Sequence, residues 1–227
     1  MRICFVSRGT LGEYLETRKG GGDGEEKDLI VFGFNGAGEV SYERELKGET
    51  DFFEQTAKLS KSEESLVVCG CITDARGHKR KSVVVAENGK LIGVSDMLNV
   101  IDGATGSGAA LRVYETKIGR MGVVVAEDLY FPEVIKSLAL CGSDFIVCAF
   151  DRAEGVETAL LKSHAFCYGV PILFCAKGFA LVTDISGEVA FASPQSPISL
   201  PFAVKKEYHL VETRRRGFYK RNRAGMR

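Results

Sequence analysis

Apolar, β-branched runs of strand length recur along the whole chain, and this constrains its fold more than any other feature. They fall at 2–7 "RICFVS", 28–34 "DLIVFGF", 65–71 "SLVVCGC", 81–86 "KSVVVA", 111–116 "LRVYET", 121–126 "MGVVVA", 144–149 "DFIVCA", 171–176 "PILFCA", 179–183 "FALVT" and 188–192 "EVAFA". Many are apolar at successive positions rather than alternate ones, so the expected sheets are covered on both faces. Asn-Gly in "ENGK" (87–90) and Ser-Gly in "ISGE" (185–188) have hairpin-turn chemistry. Helices are expected at 50–62, capped by Thr50 or Asp51, at 132–142, opened by Pro132 and closed by Gly142, and at 154–168. The stretch 121–149 then reads as a βαβ unit. So many strands with so few helices exceed one doubly wound sheet. Two packed sheets with helices outside are expected.

The chain has 227 residues, enough for one α/β domain, and we expect that domain at 1–212 with a basic tail at 213–227. Thirty basic and thirty acidic residues cancel, which argues against nucleic acid as a partner. No apolar run is long enough to span a bilayer, and "MRICFVSRGT" turns polar too soon for a secretory signal. Seven cysteines scattered among apolar segments fit buried thiols of a reducing compartment, so a cytoplasmic protein without disulfides is expected. Cys69 and Cys71 should share one face of a strand in the core. They lack a second pair at zinc-site spacing, and His78, His164 and His209 show no ligand spacing, so neither a metal nor another cofactor is expected. The glycine-rich stretches 19–28 and 102–110 lack the lysine and helix context of phosphate-binding loops and read as plain loops. The tail "RRRGFYKRNRAGMR" reads either as a solvated extension or as a site for RNA or an acidic partner.

The block "GRMGVVVAEDLYFPEVIKSLALCGSDFIVCAF" (119–150) resembles the central block of the nitrilase superfamily, the carbon–nitrogen hydrolases. There a glycine-led strand ends in the catalytic cysteine, followed by an acid-containing turn, Phe-Pro-Glu, a helix and a further strand. Phe131-Pro132-Glu133 and Gly142-Ser143-Asp144 stand in register with that pattern. "DLIVFGFNG", "KSVVVAENGKLIGVSDML", "LLKSHAFCYGVPILFCAKG", "ALVTDISGEVAFAS" and "YHLVETRRRGF" extend the likeness over most of the chain. It is weaker near the N-terminus, where the first helix looks eroded into "KGGGDGEEKD". The resemblance implies an α/β fold, a four-layer α-β-β-α sandwich, and a homodimer.

It also implies a triad: a glutamate that carries protons, a lysine that stabilises the oxyanion, and a cysteine nucleophile. Carried over position by position, the glutamate falls on Phe34, the lysine on Met97 beside Asp96, and the cysteine on Ala126. None of the three can act as acid, base or nucleophile. The expectation is a pseudoenzyme that binds a small molecule, regulates a partner, or serves as the inactive subunit of a catalytic homologue. The competing expectation is a hydrolase with a relocated nucleophile. Glu127, Tyr130 and Cys148 are the candidate pocket-lining residues for that case. Glu127 and Asp128 form a possible acid/base pair, though Asp128 could bind turn amides and Glu127 could be solvated or salt-bridged. Cys148 ends the next strand toward the same end as Ala126, but its setting "FIVCAF" suits a structural thiol, and Cys175 and Lys177 could lie near the same mouth.

Overall fold

The computed structural model describes residues 1–19, 25–34, 36–101, 103 and 105–204. The basic tail, the segment 208–218 and His209 lie outside the described residues. The first sheet contains β1 (Arg2–Val6), β2 (Leu29–Phe32), β3 (Gly38–Ser41), β4 (Leu66–Ala75), β5 (His78–Glu87), β6 (Lys90–Asp96) and β13 (Ile198–Pro201). Its order is β13-β1-β2-β4-β5-β6, with β3 also pairing β4. The second contains β7 (Val113–Thr116), β8 (Gly119–Val125), β9 (Phe145–Ala149), β10 (Ile172–Ala176), β11 (Phe179–Thr183) and β12 (Val189–Ser193), in the order β12-β11-β10-β9-β8-β7.

Strand parity assigns each residue to a layer. Phe5, Val31, Val68, Val83 and Val85 of the first sheet face Val123, Val125, Val147, Leu173 and Val182 of the second across one apolar cluster. Their neighbours Cys4, Ile30, Phe32, Val67 and Val84 turn outward, with Cys69 and Cys71 on that same face. There they meet α1 (Leu11–Lys19) and α3 (Phe52–Ser62) through Leu11, Tyr14 and Leu59. On the far side, Val124, Ile146, Cys148 and Phe174 pack under α4 (Pro132–Leu140) and α5 (Val156–Tyr168). The result is a four-layer α-β-β-α sandwich. Gly93 allows the two sheets to close at one edge: a Cβ there would sit 2.6 Å from the ring of Tyr114.

The N-terminal helix is present, contrary to the expectation of an eroded one. Thr10 and Glu13 form a reciprocal capping box, with the Thr10 amide donating to Glu13 Oε2 at 2.6 Å and the Glu13 amide donating to Thr10 Oγ1 at 3.2 Å. α3 begins where expected, but neither Thr50 nor Asp51 caps it by a side chain. The amides of Phe52 and Phe53 donate instead to the two carboxylate oxygens of Glu45, both at 3.1 Å, from the short α2 (Tyr42–Leu46). Short strands β3 and β13 and helix α2 are additions to the expected set. The Asn88-Gly89 turn has positive φ at both residues, as its hairpin requires.

Candidate functional site

The three positions matched to the triad come from separate loops and converge in the inter-sheet cluster. Phe34, Met97 and Ala126 are 7%, 1% and 0% exposed. Each is placed by an identifiable local device. The turn carrying Phe34 lies directly on β4 because residue 70 is glycine: a Cβ there would be 3.0 Å from the Gly33 carbonyl and from Phe34 Cα. Met97 follows β6, its amide donating to the Lys81 carbonyl at 2.9 Å. Ala126 begins the 3-10 turn Ala126–Tyr130 that ends β8. Its φ is +49°, a left-handed conformation uncommon for a residue with a side chain, at a sharp strand-to-helix bend.

Asp128 joins two of these loops, and the chain alone did not reveal that role. It does not bind the turn amides ahead of α4. Its Oδ2 accepts from the Leu98 amide and its Oδ1 from the Asn99 amide, both at 2.9 Å, with Asn99 Nδ2 adding a third bond at 2.8 Å. The segment after Met97 is thereby tied to the turn after Ala126. Burial raises the Asp128 pKa above its ordinary value, with the three hydrogen bonds opposing that shift.

Glu127 is salt-bridged, and its partner is Lys81 of β5. Lys81 shares the inward parity of Val83 and Val85, so the ammonium enters the inter-sheet space beside Met97. The side chains are 15% and 23% exposed, while Glu127 Oε2 is buried without a hydrogen-bond partner. One cation and one carboxylate therefore stand beside Ala126, neutralising each other.

The other candidates lie elsewhere. Cys148 reaches the same end of the sheet as Ala126 but faces the opposite layer: it pairs with Val124, and both lie under the helices. It is fully buried, and desolvation pushes its thiol well above the ordinary range. Tyr130 also points to the helical side, donating its hydroxyl to Glu157 Oε1 at 2.6 Å and packing edge-on against Phe150. The 3-10 turn rotates it away from the cluster of Ala126, so it does not line a space there with Phe34 and Met97. Cys175 does share the inter-sheet cluster, but it is fully buried and burial raises its pKa as well. Lys177 is exposed in the turn after β10. His164 is buried in α5, its Nε2 3.0 Å from the Leu129 carbonyl, and His78 is exposed at the start of β5. Among the described residues, no three His, Cys, Asp or Glu side chains converge as metal ligands would.

Two sheets back to back, helices on both outsides and a sharp turn at the end of β8 give the chain a fold shared with solved carbon–nitrogen hydrolases. Solved structures agree. A carbon–nitrogen hydrolase from Helicobacter pylori superposes with a TM-score of 0.70 at 16% identity, over 87% of this chain and 86% of that one. Saccharomyces cerevisiae Nit3, a member of branch 10 of the nitrilase superfamily, gives 0.68 at 14% identity over 88% of both chains. A mutant of the amidase from Nesterenkonia AN1 gives 0.69 at 12% identity, again over 88% of both. In sequence, a probable nitrilase of Schizosaccharomyces pombe is 26% identical over 131 residues, spanning 54% of this chain and 47% of that protein. The match thus covers about half of that relative's length. No family model matches the chain. No helix of the described residues is long and apolar enough to cross a membrane.

Proposed function

We propose that this protein keeps the nitrilase fold without carbon–nitrogen hydrolysis and works as a binding or regulatory protein. One observation carries the reading: Phe34, Met97 and Ala126 meet in a single buried apolar cluster. A methyl group cannot form a thioester, and losing the nucleophile alone costs many orders of magnitude in rate. Two charged side chains beside Ala126, Lys81 and Glu127, are bonded to each other, and the Asp128 carboxyl is taken up by the Leu98 and Asn99 amides. A relocated thiol is disfavoured because Cys148 faces the helices and Cys175 is fully buried with a raised pKa.

The test is ammonia release from a panel of small amides, nitriles and carbamoyl compounds, with purified protein run beside Cys148→Ala. The expected result is no release above buffer from either. Release by the parent protein that vanishes in Cys148→Ala would establish a relocated nucleophile and overturn the proposal.

We further propose a cytoplasmic homodimer. Leu140 at the end of α4 and Val156 and Phe166 on α5 are large apolar side chains left exposed on the outer helical layer. Light scattering after size exclusion should give twice the monomer mass, and a monomer would remove this part of the reading. If a catalytic homologue co-purifies from the native cell instead, the chain is its inactive subunit.

A further inference from the structure

The charge of this chain is divided unevenly. Of the thirty residues of each sign, the segment 205–227 holds nine basic and two acidic ones, leaving 21 basic and 28 acidic residues in 1–204. A body of net charge −7 thus carries a 23-residue segment of net charge +7.

Hydrogen bonds fix the point where that segment leaves the body. The Phe202 amide donates to the Met1 carbonyl at 2.8 Å, and the N-terminal ammonium donates to the Phe202 carbonyl at 2.9 Å. One residue along, the Arg2 amide donates to Asp28 Oδ2 and its guanidinium pairs with Glu25, both at 2.6 Å. The Leu66 amide donates to the Asp28 carbonyl at 2.9 Å, which ties this loop to the end of α3. The chain therefore emerges beside an open cleft of about 530 Å³ between residues 25–28 and 62–64.

That cleft is acidic. Glu25, Glu26, Asp28, Glu63 and Glu64 line it against three cations. The cations are engaged: Arg18 pairs with Glu63, Lys27 Nζ donates to the Glu25 carbonyl at 3.2 Å, and Lys117 Nζ donates to the Glu64 carbonyl. Among the described residues no cation forms an ion pair with Glu26 or Glu64, and both are exposed. Charges attract over roughly a Debye length, about 8–10 Å, so the basic segment meets these acids before any others. Tethering adds an effective concentration in roughly the millimolar range, and at ~3.3 Å per residue the segment is long enough to lie along the cleft. An RNA, by contrast, would have to approach an acidic body on a chain with no net charge to draw it in.

We propose that the basic tail at 213–227 docks on its own body in this cleft, with its cations against Glu26 and Glu64. The docked tail is withheld from outside polyanions. The site lies apart from Phe34, Met97 and Ala126, so it does not depend on whether hydrolysis has been lost.

Zero-length carbodiimide coupling of the full chain tests it, with cross-links mapped by mass spectrometry on mixed light and heavy-isotope protein. Lys220 should couple to Glu26 or Glu64 within one chain, in preference to the exposed Glu133 on the far helical layer. The yield should fall about five-fold or more in Glu26→Gln/Glu64→Gln, whose exposed positions leave folding intact, and at about 0.5 M NaCl, where charges are screened. Coupling of Lys220 to Glu133 in equal yield, coupling only between copies, or a yield unchanged in the double variant would overturn the proposal. So would tight binding of a labelled single-stranded RNA by the parent chain at about 0.15 M salt with no Lys220 cross-link, since the tail would then serve nucleic acid.

Discussion

Replacing Lys81 by methionine removes the cation paired with Glu127 while roughly keeping the volume of the side chain. Breaking a fully buried ion pair by deleting one partner costs about 3–5 kcal/mol, because the remaining charge is left without compensation. Exposed pairs are worth about 0–1 kcal/mol. At 15% and 23% exposure, this pair sits nearer the buried limit, and Glu127 Oε2 already lacks a partner. Allowing for solvent screening, Lys81→Met should cost about 2–3 kcal/mol. The double variant Lys81→Met/Glu127→Leu should lie within about 1 kcal/mol of the parent, because the exchange removes both desolvated charges together. The cycle then yields a coupling of about 2 kcal/mol. Urea unfolding of the four proteins measures it, with an unchanged denaturant slope confirming that the same surface is exposed on unfolding. In calorimetry the single variant should melt about 5–10 °C lower. A Lys81→Met protein within about 0.5 kcal/mol of the parent, with no coupling, would refute the idea that this pair is desolvated between the sheets.

Phe34→Glu should cost at least about 3–5 kcal/mol, since it removes a buried ring and places a carboxylate in an apolar cluster, and urea unfolding measures that loss directly. Of the seven cysteines, only Cys141 and Cys167 are exposed, so an aromatic disulfide reagent should titrate two thiols in the native protein and seven in denaturant. His164 is held below its ordinary value of 6.5 by burial, so the unfolded chain takes up the proton first as pH falls. Stability should therefore decline as pH drops below about 6.5. His164→Gln, which keeps a donor for the Leu129 carbonyl, should flatten that decline when melting temperatures are compared across pH.

The layered architecture was legible because double-sided burial leaves a direct mark: strands covered on both faces must be apolar at every position, as in "FIVCA" and "ILFCA". The three positions matched to the triad could be located for the same reason, since each sits at a fixed offset from such a run. α1 was legible in principle from Thr10-x-x-Glu13, but its polar surface and the glycines after it masked the signal. Lys81 could have been assigned inward from its parity with Val83 and Val85. Its pairing with Glu127, however, joins residues 46 positions apart, and no local pattern encodes that. The same limit applies to Asp128, whose partners lie in the preceding loop. For Cys148 the sequence indicates the end of the strand but not the face; its register partner Val124 points toward the helices.

The pairing of β1 with β13 has a consequence for how the molecule reaches its native state. The N-terminal ammonium donates to the Phe202 carbonyl at 2.9 Å, between residues separated by 201 positions, and β13 lies alongside β1 from Arg2 to Phe5. β1 thus waits for β13, far along the chain, before its outer edge is covered. Closing so long a loop is entropically costly before any contact repays it, which places this molecule among slow folders with high contact order. Until Ile198–Pro201 arrives, β1 presents an open edge to other chains, so a molecule still folding is most exposed to misassociation at this strand.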